Sequence, residues 1–107
     1  MRFVIQALKQ AFKLGLDDVI LLHSLGEMFV SFGKWVDGEC CLRRALEISE
    51  QAQTLALLAD CLYEQNMGEE AIQMYERTIQ SLQVHSGQSD AVAHCERRIG
   101  ELKVRNR

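Results

Sequence analysis

The 107-residue chain contains no proline, so nothing in it forces a helix to kink or stop. Aromatic residues are only 7% of it. Aromatic and β-branched residues are sparse beside Leu, Ala, Glu and Gln, so propensity favours helix over strand. No run approaches the roughly 18 to 20 apolar residues that span a bilayer, and no small-residue cleavage site follows the opening Met1-Arg-Phe-Val-Ile5, so neither a membrane span nor a secretory signal is expected. The simplest compartment is the cytoplasm. The four cysteines, Cys40, Cys41, Cys61 and Cys95, lack CxxC spacing, which fits free, mostly buried thiols. The net charge of −3 is too mild and of the wrong sign to argue for nucleic acid. The charge is uneven, however. The last twelve residues hold Arg97, Arg98, Lys103, Arg105 and Arg107 against Glu96 and Glu101, a basic end that suits the C-terminal pole of a helix dipole.

What the chain has is helical periodicity. Segment one, residues 2–14, carries Phe3, Val4, Ala7, Leu8, Ala11 and Leu14 at the spacing of a helix stripe, with Gly15 as its stop. Asp17 and Asp18 then stand where an N-cap belongs. Segment two, residues 18–32, has Leu22, Leu25, Gly26 and Phe29, and ends at Gly33. Segment three, 35–48, opens with Trp35 as a core anchor and carries Gly38, Cys41, Leu42, Ala45 and Ile48 on one side. Segment four, 51–65, repeats the stripe as Leu55, Leu58, Ala59 and Leu62. Segment five, 69–83, follows the turn Asn66-Met-Gly68 with Ala71, Ile72, Tyr75, Ile79 and Leu82. Ser89 or Asp90 caps segment six, 90–104, whose stripe is Val92, Cys95, Ile99 and Leu102. Helices of this length on short connections read as a row of antiparallel hairpins within one domain.

The hairpins repeat. A shift of 33 residues lays Leu22 on Leu55, Leu25 on Leu58, Gly26 on Ala59, Phe29 on Leu62, Gly38 on Ala71, Leu42 on Tyr75 and Ala45 on Thr78. This pattern resembles the tetratricopeptide repeat, a unit of about 34 residues with a Trp/Leu–Leu–Gly–Tyr signature in the first helix and small–aromatic–Ala in the second. The closing proline of that family is absent, with Glu50 and Gln83 near its place. The resemblance covers roughly residues 1–83. It implies an all-α, right-handed solenoid of stacked hairpins, about two and a half units plus a closing helix. The boundaries would be 1–15 for the second helix of a partial unit, 18–50 and 51–83 for two units, and 89–104 for the closing helix.

The resemblance also implies a function: a non-catalytic scaffold or chaperone holding a peptide or helix of a partner protein in a concave groove lined by first helices. The groove positions would be Ile20, His23, Glu27, Val30 and Ser31 from segment two, and Gln53, Ala56, Asp60, Tyr63 and Glu64 from segment four. Three of these are carboxylates, so the partner should be neutral or basic. The Lys and Asn of the family's carboxylate clamp are missing, since His23, Glu27, Ala56 and Asp60 stand in their places. Segment one adds a second apolar face of Met1, Ile5 and Phe12, which needs cover of its own. Self-association through that face is therefore the alternative, as is a small chaperone of the type III secretion kind.

Catalytic, cofactor and metal chemistry find no footing. Cys40 and Cys41 diverge by about 100° on a helix and cannot easily share one tetrahedral ion. His94 and Cys95 are likewise neighbours that point apart. No Lys-Ser/Thr follows Gly33 or Gly38 to make a phosphate loop, and Glu69-Glu70 reads as helix-start charge.

Overall fold

The computed structural model describes residues 3, 6, 7, 10, 13, 18–85 and 90–105, and among these residues the regular structure is entirely helical. Five helices follow in order: α1 (Val19–Ser31), α2 (Trp35–Ile48), α3 (Ala52–Glu64), α4 (Gly68–His85) and α5 (Asp90–Arg105). Each boundary falls within two residues of the one periodicity predicts.

The local causes are visible. Asp18 sits in an extended conformation ahead of α1, and its carboxylate accepts hydrogen bonds from the backbone N–H of Ile20 (2.8 Å) and Leu21 (3.2 Å). This satisfies two of the donors that a helix start leaves orphaned. The helix ends where Gly33 turns to φ +72°. There Lys34 N–H reaches back to the Phe29 carbonyl (2.8 Å) and Gly33 N–H to the Val30 carbonyl (3.0 Å). α3 ends in the same way, 33 residues on. Asn66 takes φ +61°, Met67 N–H donates to the Leu62 carbonyl (2.9 Å), and Asn66 N–H donates to the Tyr63 carbonyl (3.2 Å). Both are Schellman caps, which call for Gly or Asn at the left-handed position.

The three-residue turns Phe32–Lys34 and Gln65–Met67 make α1–α2 one hairpin and α3–α4 another. Each helix packs on its successor through to α5, and α1 also touches α3. The small residues of the repeat permit the close approach. A β-carbon on Gly38 would lie 3.3 Å from Val30 Cγ2 and 3.4 Å from Cys61 Sγ. Ala59 and Ala71, the matching positions of the second hairpin, are fully buried. Leu22, Phe29, Cys41 and Ala45 form one core cluster. Leu42, Leu58, Leu62, Tyr75, Cys95 and Leu102 anchor a larger one, against which Trp35 packs.

The stripes err in particular places. Ile48, the last residue of α2, is 46% exposed, because the stripe outruns the partner helix there. Leu25, Ile72, Ile79, Leu82 and Ile99 are only half-buried. Polar Thr54 and Thr78 are fully buried instead. Thr78 Oγ1 spends its proton on the Met74 carbonyl (2.7 Å) and Thr54 Oγ1 meets His23 Nδ1 (3.1 Å), so neither hydroxyl is left unsatisfied. In segment one, Phe3 is 84% exposed and Ala7 is exposed as well. Spacing alone placed them on a packed stripe, but a stripe buries only what another element covers. The remaining stripe residues of that segment, its stop Gly15, and the capping candidates Asp17 and Ser89 lie outside the described residues.

Candidate functional site

α1 and α3 lie side by side, and four of the ten expected groove residues meet there. His23 and Glu27 from α1, with Gln53 and Ala56 from α3, line an open cavity of about 510 Å³. The His23 ring bridges the two helices. Its Nδ1 lies 3.1 Å from Thr54 Oγ1 on α3, and its Nε2 lies 3.7 Å from Glu27 Oε1 one turn along α1. The ring is thus fixed in place while most of the Glu27 carboxylate stays in solvent. Ala52 and Leu57 of α3, Leu82 of α4 and Ala91 of α5 supply an apolar floor. Sequence reasoning missed these floor residues. Only Leu82 carried a signal, as a stripe residue of segment five.

The α3 residues further along follow a different course, toward α5. Asp60 Oδ1 accepts from the buried Tyr75 hydroxyl and lies 3.2 Å from His94 Nε2. His94 in turn meets the Tyr75 ring edge-on at 6.1 Å. Tyr63 donates to Glu101 (2.8 Å), accepts from Arg105 Nη2 (3.3 Å), and carries the Arg98 guanidinium 3.9 Å above its ring. Such stacking is worth about 0.5–1 kcal/mol at a partly exposed site. Asp60 and Tyr63 are therefore engaged by the chain's own basic helix.

The other expected positions scatter. Ile20 is 75% exposed at the start of α1, and Glu64 is exposed at the end of α3. Val30 packs against the larger core cluster, and Ser31 turns its hydroxyl back to the Glu27 carbonyl (3.0 Å). Met1, Ile5 and Phe12 lie outside the described residues.

Electrostatically α1 and α3 are one-sided. α1 and α3 together carry Glu27, Asp60 and Glu64 but neither Lys nor Arg. Arg43, Arg44 and Arg77 of α2 and α4 are matched locally by carboxylates. Arg43 bridges Glu39 (2.7 Å) and Glu70 (2.8 Å), an arrangement in which the Glu39 hydrogen bond leads in holding its guanidinium protonated. Burial pushes the Cys41 and Cys61 thiols up to about 12 and the Cys95 thiol to about 11. Burial, helped by Asp60, raises Tyr75 still further above its ordinary value. All four groups are neutral near pH 7 and behave as core. Cys40 is exposed. Among the described residues, no three His, Cys, Asp or Glu side chains gather as a metal-ligand set, and no helix is long and apolar enough to cross a membrane.

No curated protein matches the chain. The family model of the cilia and flagella-associated protein 70 C-terminal domain matches residues 5–102, nearly the whole chain, in agreement with the duplicated hairpin and its paired Schellman turns. The chain belongs to this tetratricopeptide-type family.

Proposed function

We propose that the chain is a non-catalytic protein-interaction module that holds a peptide or helix of a partner in the groove between α1 and α3. The observation that carries this reading is the open cavity of about 510 Å³, beside which α1 and α3 contribute carboxylates and neither Lys nor Arg. Clefts of this size with an apolar floor and a few polar rim groups are where proteins take ligands, and the charge favours a neutral or basic one. In this reading residues 18–50 and 51–83 are two units of a right-handed solenoid, residues 1–15 are half of a preceding unit, and 89–104 close the stack. The name of the matching family ties its members to cilia and flagella, which favours a scaffold over a chaperone, working in the cytoplasmic compartment.

Photo-crosslinking tests the reading. A photoreactive residue in place of exposed Gln53 should capture peptides selected against the chain from a display library, whereas one in place of Val36, exposed on α2, should not. Equal capture at both positions contradicts a groove site.

A second reading, self-association through the N-terminal segment, is favoured by Phe3, which is helical and 84% exposed. It requires a molar mass that rises with concentration in wild type and does not in Phe3→Glu.

A further inference from the structure

The face between α1 and α3 changes character along its length. One end is filled from within, where α5 lays His94 against Asp60 and Arg98 and Arg105 around Tyr63. The other end is open at the cavity. Its size follows from side chains that stop at Cβ: Ala52 and Ala56 on α3, and Ala91 on α5. Glu27 stands on the rim with its side chain 59% exposed and its Oε1 3.7 Å from His23 Nε2. The two ends are also related by the repeat, since Asp60 lies 33 positions after Glu27. The chain therefore contains its own example of how this face meets a neighbour, with an imidazole nitrogen at the carboxylate position and an aromatic edge contact beside it.

We infer, resting on the groove reading above, that the open end takes a segment in which an apolar side chain stands next to an arginine or lysine. The apolar side chain fills the alanine-floored cavity, and the cation meets the Glu27 carboxylate at the repeat position where the His94 nitrogen meets Asp60. An acidic segment is repelled by Glu27, the carboxylate among the residues that line the cavity. A purely basic segment lacks the group that displaces water from the floor.

The test uses three labelled helical peptides on one neutral framework: one with Leu beside Arg, one with Leu beside Glu, and one with Ser beside Arg. Fluorescence anisotropy is read on the whole chain, on Ala56→Trp, which fills the cavity, and on Glu27→Lys, a surface change that leaves the core alone. The Leu–Arg peptide should bind at least roughly tenfold more tightly than either other peptide, and added salt should weaken it. Ala56→Trp should abolish its binding, and Glu27→Lys should reverse the preference between the Arg and Glu peptides. If the Leu–Glu or Ser–Arg peptide binds as well as Leu–Arg, or if Glu27→Lys leaves the preference unchanged, the inference is overturned; the groove reading survives that result as long as crosslinks still fall at position 53. If no peptide binds, the inference also fails, and the crosslinking experiment judges the groove separately.

Discussion

Gly26 of α1 lies so close beneath Leu42 of α2 that a β-carbon on it would stand 2.6 Å from Leu42 Cδ2. Leu42 is fully buried, so any shift of its side chain presses on packed neighbours. Gly26→Ala should therefore lose stability despite the better helix propensity of alanine. Overpacking costs about 1–3 kcal/mol, while the propensity gain returns about 1 kcal/mol. Because the two residues touch, Gly26→Ala and Leu42→Ala should be non-additive. Thermal melts of the two single variants and the double variant check this, and simple additivity would contradict the contact.

The second hairpin offers the complementary test. Leu58 is 1% exposed, at the repeat position that is only half-buried as Leu25 in α1. Leu58→Ala should cost about 2–5 kcal/mol, and Leu25→Ala distinctly less. Equal losses in urea titrations would mean the two positions are equally packed.

The α1 cap makes a smaller prediction. Asp18→Ala removes the acceptor for the Ile20 and Leu21 amides and should cost about 1 kcal/mol, whereas Asp18→Ser should cost little. The melting midpoint decides it.

The buried thiols give a pH dependence with a definite sign. Cys41, Cys61 and Cys95 titrate higher folded than unfolded, so the unfolded chain releases protons first. Their contribution is complete below the unfolded value of 9.0 and is lost as pH rises from there toward 11 to 12. Each thiol adds to the fall within that window. The midpoint should fall above pH 9, and replacing Cys41 with Ala should flatten the fall. At pH 8 in native conditions only Cys40 should react with a thiol reagent.

Much of this fold is readable from residue types because the repeat punctuates itself. Gly33 and Asn66 are the residues that tolerate the left-handed turn, and Asp18 is a strong N-cap, so helix ends follow from local chemistry. The small residues Gly26, Gly38, Ala59 and Ala71 mark where helices approach. The groove is only half readable. The resemblance supplies positions on α1 and α3, but whether a position stays open depends on what the last helix does. Asp60 and Tyr63 are met by His94, Arg98 and Arg105, side chains that lie off the apolar stripe of their helix. The cavity floor is equally silent in the sequence, since Ala52 and Ala91 matter through the volume they leave empty.

Partner binding between α1 and α3 is tested most directly by Ala56→Trp. Ala56 is half-buried on the cavity wall, so an indole there should fill the cavity while the melting midpoint stays close to wild type. Calorimetric titration with a peptide selected against the chain should then show binding lost by at least roughly tenfold. Binding unchanged in a folded Ala56→Trp chain would place the partner site elsewhere on the molecule.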